Sequence, residues 1–177
     1  MDKNIKIAKE LVGIEKMLVS NAGDDIESMS VDEKINFAKN NTTSPEILEK
    51  LADDEEGDVR YYVAENPNTP ADILKKLAEK DKESGVRQAV AYNPNTPAEA
   101  LTKLAKDKID GVRKAVTYNP NTPVDILTKL AEDEYWLVRE GVAKNPNTPV
   151  DILKKMAGDK DMDVRRATKS QLRHRRQ

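Results

Sequence analysis

The sequence predicts an all-α protein, a solenoid of about five short two-helix repeats of 26 residues. The pentapeptide Asn-Pro-Asn-Thr-Pro occurs four times, starting at Asn66, Asn93, Asn119 and Asn145. A Val-Arg pair recurs at the same period, with its arginines at Arg60, Arg87, Arg113, Arg139 and Arg165. The composition agrees with this prediction. Because only 37% of the residues are hydrophobic and 35% are charged, the chain can fill a thin core along a repeat array more readily than one thick globular core.

The residues that follow each pentapeptide predict the first helix of a unit. Thr69 is expected to be the N-cap, with Pro70 at the first helical position and Asp72 closing a capping box. Leu74 and Leu77 then recur at the spacing of an amphipathic helix of about ten residues. The same pattern recurs in the later units, so we expect one such helix in each.

A second, shorter helix is predicted around each Val-Arg pair. Val86 and Val90 form its buried stripe, and it ends before Asn93-Pro94, because a residue that precedes proline is disfavoured in the helical region. The segment is short enough to be either α or partly 3₁₀. The single extra residue that lengthens one period falls between Leu77 and Val86 and is expected to lie in a tolerant loop.

The repeat motif resembles two known families. Asp-x₄-Val-Arg behind a leucine-rich helix resembles a HEAT repeat, and the short period with the Asn-Pro-Asn-Thr-Pro turn resembles the leucine-rich repeat variant family over about residues 31–170. The resemblance implies alternating α- and 3₁₀-helices in a right-handed superhelix, with no single activity attached. The family's founding type carries a cysteine-ligated iron–sulfur module. This sequence contains no Cys, so neither that module, a redox role nor any cofactor is expected.

Four segments are predicted along the chain. An amphipathic helix spans residues 1–20, a polar linker 21–29, the repeat array 30–170 and a basic tail 171–177. The array begins with a half-repeat at 30–40, where Ser30 and Glu33 predict a capping box, and continues with five units. Two interpretations of the N-terminal helix stay open: it caps the first exposed core face, or it docks on a partner or on a second copy.

The recurring arginines have two possible roles. They could form a stripe that binds phosphates. They could instead form a structural ladder with an aspartate that recurs at the same period. Equal numbers of both residues at fixed spacing favour the ladder, whose aspartates are Asp54, Asp81, Asp107, Asp133 and Asp159.

Recognition is expected where the units differ from one another. The residue before each turn is tyrosine at Tyr92 and Tyr118 but charged in other units. The loop before Val138 reads Tyr135-Trp136-Leu137, where other units have Ser-Gly or Asp-Gly. Tyrosine and tryptophan are frequent hot spots of protein interfaces, so these four are candidate protein contacts. The alternative for Trp136 is that it folds over a neighbouring loop. Tyr62 is expected to pack against the N-terminal elements.

The ends of the chain carry opposite charge. Residues 1–58 have a net charge of −8, whereas residues 164–177 contain six basic and no acidic residues. This polarity permits head-to-tail association of the two ends. It also makes the C-terminal cations candidate phosphate contacts: Arg165, Arg166, Lys169, Arg173, Arg175 and Arg176.

The function expected from these patterns is a non-catalytic scaffold that mediates protein–protein interaction, in the cytoplasm of a prokaryotic or phage-encoded context. One His and no Cys exclude the common zinc sites and the Ser-His-Asp triad within one chain. The sequence contains no run of 18 apolar residues, so no membrane-spanning helix is expected. The alternative is a nucleic-acid-associated protein that contacts phosphates through the basic tail and the repeat arginines.

Overall fold

The computed structural model describes residues 26–175. Within that range the chain is all-helical, which confirms the predicted fold class. The helices are α1 (Val31–Lys39), α2 (Pro45–Leu51), α3 (Gly57–Glu65), α4 (Ala71–Lys80), α5 (Ser84–Tyr92), α6 (Ala98–Leu104), α7 (Asp110–Tyr118), α8 (Val124–Leu130), α9 (Trp136–Lys144), α10 (Val150–Met156) and α11 (Met162–His174). Helix α1 is the predicted half-repeat, and the other ten form five consecutive pairs.

The helices form two parallel rows. The first row contains α2, α4, α6, α8 and α10, and the second row contains α1, α3, α5, α7, α9 and α11. Each second-row helix packs directly on the next, whereas the first-row helices barely touch one another except for α4 and α6. The units are therefore joined mainly through the second row. Both rows are α-helical, which settles the choice left open between α and 3₁₀ for the second helix.

One continuous core lies between the rows. Each unit contributes a fully buried leucine from the first row, at Leu48, Leu74, Leu101, Leu127 and Leu153. The second row contributes a fully buried valine in each of the first four units, at Val63, Val90, Val116 and Val142, and a buried threonine, Thr168, in the fifth. Because no unit could bury these side chains alone, the stacking of neighbours provides the hydrophobic stabilisation.

The capping prediction for the first-row helices is wrong. Pro70, not Thr69, is the N-cap of α4, and no side chain caps that helix. Thr69 is buried instead, and its hydroxyl donates to the carbonyl of Val63 in the last turn of α3. The turn folds the chain back over that helix end, where carbonyls lack intrahelical partners. The same bond recurs from Thr43, Thr96, Thr122 and Thr148. The capping box of Ser30 and Glu33 is confirmed.

The extra residue also lies elsewhere than predicted. Helix α4 has ten residues, against seven in each of the other first-row helices. It continues to Lys80, so that Asp81 of the ladder is the first residue after the helix. The residues at this point, Ala78, Glu79 and Lys80, are good helix formers, so the insertion extends the helix rather than the loop.

The last helix is longer than its counterparts. Helix α11 has 13 residues and continues through His174, because Gln171-Leu172 stands where earlier units have Asn-Pro. The first four residues of the predicted tail are therefore helical. The predicted N-terminal helix and most of the linker lie outside the described residues. No helix between residues 26 and 175 is long and apolar enough to cross a bilayer.

Candidate functional site

The repeat arginines bind the aspartate of the following unit. Arg87 donates from Nε and Nη2 to the two carboxylate oxygens of Asp107, at 2.6 and 3.1 Å. Its Nη1 donates to the carbonyls of Asp81 and Lys82, at 3.0 Å each, so one guanidinium joins two consecutive loops. The same pairing joins Arg60 to Asp81, Arg113 to Asp133 and Arg139 to Asp159.

Two carboxyls of this ladder, Asp107 and Asp159, have a pKa below the usual value. Burial raises the pKa of the Asp107 carboxyl, but Arg87 and the amide of Ile109 lower it by more, so the pKa lies below its usual value. For Asp159 the hydrogen bond from Arg139 is the largest cause, and it lowers the pKa. Four of the five recurring arginines are thus occupied by carboxylates, which weakens the hypothesis of a phosphate-binding stripe.

The two ends of the arginine ladder differ. At the N-terminal end, Lys34 takes the position of the arginine and its Nζ lies 2.8 Å from Asp54. At the C-terminal end, Arg165 keeps the bonds from Nη1 to the carbonyls of Asp159 and Lys160, at 2.7 and 2.9 Å. No carboxylate among the described residues binds its other edge.

A second ladder, which we did not predict, is built from the first asparagine of each pentapeptide. Asn119 is buried, and its Nδ2 donates to the carbonyls of Ala91 and Asn93, at 2.8 Å each, in the preceding unit. Its Oδ1 accepts from the amide of Asn121 at 2.8 Å. The asparagine ladder consists of Asn66, Asn93, Asn119 and Asn145, which all bind the preceding unit in this way.

The second asparagine of each pentapeptide makes a parallel series of bonds, which Arg175 terminates. Asn147 donates to the carbonyl of Pro120 at 2.7 Å, and Arg175 donates to the carbonyls of Pro146 and Thr148 where the next unit would follow. Arg175 was predicted to contact phosphate, and the structure instead places its guanidinium on these two carbonyls. Arg176 lies outside the described residues.

Tyr92 and Tyr118 form an exposed aromatic ridge at the C-terminal ends of α5 and α7. They are 46% and 42% exposed, and their ring centroids lie 6.2 Å apart with the planes tilted by 42°. The Nζ of Lys114 lies 5.8 Å from the Tyr118 ring centroid. We call Tyr92, Tyr118 and Lys114 the tyrosine ridge. Sequence spacing alone anticipated that the two rings would be neighbours.

Two further tyrosines lie one unit earlier in the second row. The Nζ of Lys39 in α1 sits 3.9 Å from the centroid of Tyr62, which confirms that Tyr62 packs against the N-terminal elements. Tyr61 contacts Tyr62 edge-on at 5.2 Å and donates to Glu65 at 2.7 Å. That hydrogen bond raises the pKa of Tyr61 to about 12.

The structure separates Tyr135 and Trp136 from the tyrosine ridge. They lie at the N-terminal end of α9, half-buried and packed against the core, with ring centroids 6.4 Å apart. The ridge lies at the other end of the second-row helices, about 13 Å away along a nine-residue helix. The four candidate protein contacts therefore do not form one surface.

The remaining candidate phosphate contacts lie on α11. Arg166 is exposed and pairs with Asp163 at 3.1 Å, whereas Lys169 and Arg173 are exposed with no ion pair among the described residues. No group of acidic or histidine side chains between residues 26 and 175 could hold a metal ion.

Comparison with known proteins agrees with this geometry. The family described as leucine rich repeat variant matches residues 85–108 and 136–161. A solved structure described as "a leucine-rich repeat variant with a novel repetitive protein structural motif" is similar, with a TM-score of 0.66 and 25% sequence identity. The match covers 89% of this chain and 61% of that one, so the chain spans less than two thirds of that protein's length. No curated protein matches the chain.

Proposed function

We propose that the chain, which contains two units that match the leucine-rich repeat variant family, is a non-catalytic scaffold that binds a partner protein through the tyrosine ridge. The observation that carries the proposal is the pair of neighbouring, exposed rings of Tyr92 and Tyr118 on the second row of helices. Exposed aromatic side chains of this kind supply much of the binding energy in protein interfaces.

The fold does not require tyrosine at these two positions. The same position in other units holds Lys39, Glu65 or Lys144, all exposed, and those units stack in the same way. Packing between the units therefore does not explain why tyrosine occupies these two positions. A role in recognition accounts for them, since a large ring offers contact area at a small cost in conformational entropy.

The chemistry of the ridge indicates what the partner presents. The two rings offer an apolar surface, and Lys114 lies beside them, whereas Lys144 in the next unit already pairs with Glu140 at 2.7 Å. A polypeptide segment with an apolar side chain next to carboxylates complements this surface. The nucleic-acid alternative has less support, because four of its recurring arginines already bind aspartates.

Selection from a random peptide display library tests the proposal. Peptides enriched on the wild-type chain are synthesised, and their Kd is measured by fluorescence anisotropy on the wild type and on the Tyr92→Ala/Tyr118→Ala variant. We expect the double variant to bind about 30-fold more weakly, which corresponds to the loss of about 2 kcal/mol at a hot spot. We also expect the enriched peptides to combine apolar and acidic residues.

A matched control removes the same number of exposed apolar side chains from the first row. Val124 and Val150 are 49% and 42% exposed, close to the values of the two tyrosines. The Val124→Ala/Val150→Ala variant should keep wild-type affinity. Peptides that bind the tyrosine variant as tightly as the wild type would refute the proposal, once circular dichroism shows that both variants are folded.

A further inference from the structure

The C-terminal end of the array carries a basic surface on one side of α11. Arg165, Lys169 and Arg173 recur every four residues and so share one face of the helix. Met162 lies on the same stripe and is 58% exposed. Residues 164–175 contain five basic and no acidic residues. We call Met162, Arg165, Lys169 and Arg173 the basic end.

Arg165 makes this surface more than a group of solvated charges. The bonds from its Nη1 to the carbonyls of Asp159 and Lys160 hold the guanidinium, and the bond to the aspartate carbonyl recurs in every earlier unit. In those units the Nε and Nη2 edge binds both oxygens of the next aspartate, at 2.6 to 3.2 Å. At Arg165 that edge has no carboxylate among the described residues. The array thus ends in a guanidinium already oriented to receive one.

The opposite end of the array has complementary character. A cleft there is lined by Glu27, Val31 and the acidic loop that contains residues 53–56. Lys34 pairs with Asp54, but Glu55 and Glu56 are exposed with no ion pair to Lys34 or Lys50. Residues 26–58 contain ten acidic and three basic residues. Val31 is 40% exposed, so each end presents one apolar side chain amid its charges. We call this cleft the acidic end.

We propose that the basic end of one copy docks on the acidic end of a second copy, with Arg165 binding a carboxylate of its neighbour. A second copy is the occupant that the charges favour, because one chain carries both complementary surfaces. The contact joins two different surfaces, so it leaves one of each unoccupied and extends into head-to-tail chains rather than closing as a dimer. This contact is independent of the tyrosine ridge.

Sedimentation velocity of the full chain tests the contact. We expect the weight-average mass to rise with protein concentration past that of a dimer in about 50 mM salt, and to return to that of a monomer in about 500 mM salt. A monomer at every concentration in low salt would overturn the proposal. A mass that levels off at a dimer would also overturn it, because a closed dimer needs a symmetric contact.

Charge reversal identifies the surfaces involved. The Lys169→Glu/Arg173→Glu variant makes the basic end acidic, and the Glu55→Lys/Glu56→Lys variant makes the acidic end basic. Each variant alone should associate at least about tenfold more weakly than the wild type, since like charges then face each other. An equimolar mixture should associate again. Failure of the mixture to associate would contradict the head-to-tail arrangement.

Two further variants separate this contact from a general effect of charge. Lys103→Glu/Lys129→Glu makes the same change of net charge at exposed positions in the middle of the array and should leave association unchanged. Arg165→Gln removes only the fork that receives the carboxylate and should weaken association about tenfold, as loss of a charge-assisted hydrogen-bond pair does. Wild-type association by Arg165→Gln would contradict the role of this residue.

Discussion

Replacement of Asn119 by alanine tests whether the asparagine ladder couples the units. The side chain is buried and makes three hydrogen bonds, two to carbonyls of the preceding unit and one to an amide of its own turn. Alanine fills less volume and makes none of these bonds. The change removes the side-chain partner from two buried carbonyls, those of Ala91 and Asn93, and from the half-buried amide of Asn121.

The magnitude follows from counting these bonds. Each contributes about 1 kcal/mol net, and a buried group left unsatisfied costs about 1–3 kcal/mol, so Asn119→Ala should lower the free energy of unfolding by about 3–5 kcal/mol. Asn121→Ala is the matched control in the same turn. Its side chain is exposed and donates one bond, to Pro94, so its loss should cost about 1 kcal/mol or less.

Equilibrium unfolding in urea measures both values. Far-UV circular dichroism reports the whole array, and fluorescence of Trp136, the single tryptophan, reports the fourth unit. Coincident transitions by the two probes would justify a two-state free energy. Equal costs for Asn119→Ala and Asn121→Ala would refute the reasoning, because burial and bond number would then not determine the contribution of each asparagine.

The other predictions use the same unfolding assay. Gly141→Ala should destabilise by about 1–3 kcal/mol, because the added methyl group would collide with the Thr117 hydroxyl; adding Thr117→Ala should restore stability, since alanine occupies both equivalent positions in neighbouring units. Arg113→Met should cost about 3–5 kcal/mol by stranding a buried carboxylate. Lys75→Met, which breaks an exposed ion pair between units, should leave the urea midpoint almost unchanged. Urea midpoints should fall as the pH drops below about 4. Folding lowers the carboxyl pKa of Asp107, Asp133 and Asp159. The stabilisation that these carboxylates provide is complete above their pKa in the unfolded chain, and it is lost as the pH falls through their pKa in the folded protein. A flat profile from pH 6 to pH 3 would contradict this ladder.

The period of the sequence was sufficient to predict the unit and its helices, but not the bonds between units. Arg60 follows Asp54 by six residues and precedes Asp81 by 21, and a flexible arginine could reach either. The structure directs its carboxylate-binding edge to Asp81 and its Nη1 to the carbonyl of Asp54. Only the stacking of consecutive loops decides between these partners.

The threonine of the pentapeptide shows why a local motif misled. Thr-Pro followed by an acidic residue is the usual pattern of a helix N-terminus, so Thr69 was predicted to cap α4. The reversal of the chain at Asn66-Pro67 brings that hydroxyl to the end of the preceding helix, where it donates to Val63. A hydroxyl can serve either end, and the tertiary path of the turn determines which one it serves.

The candidate site was predictable in part for the same reason. Tyr92 and Tyr118 are 26 residues apart at one position of the unit, and stacking places equivalent positions side by side. Tyr135 and Trp136 share no such equivalent, so their exposure depends on how the first turn of α9 faces the core. Side-chain burial at a helix start follows from three-dimensional packing, which repeat spacing does not contain.

The asparagine ladder and the tyrosine ridge are physically linked. Asn119, which follows Tyr118, donates to the carbonyls of Ala91 and Asn93, the two residues that flank Tyr92. This side chain therefore fixes the backbone of one tyrosine relative to the other and helps to hold their rings 6.2 Å apart. A pair of rings held in place before binding loses less conformational entropy when a partner docks. The recurring asparagines thus provide the rigidity that the proposed recognition surface on the variable columns requires.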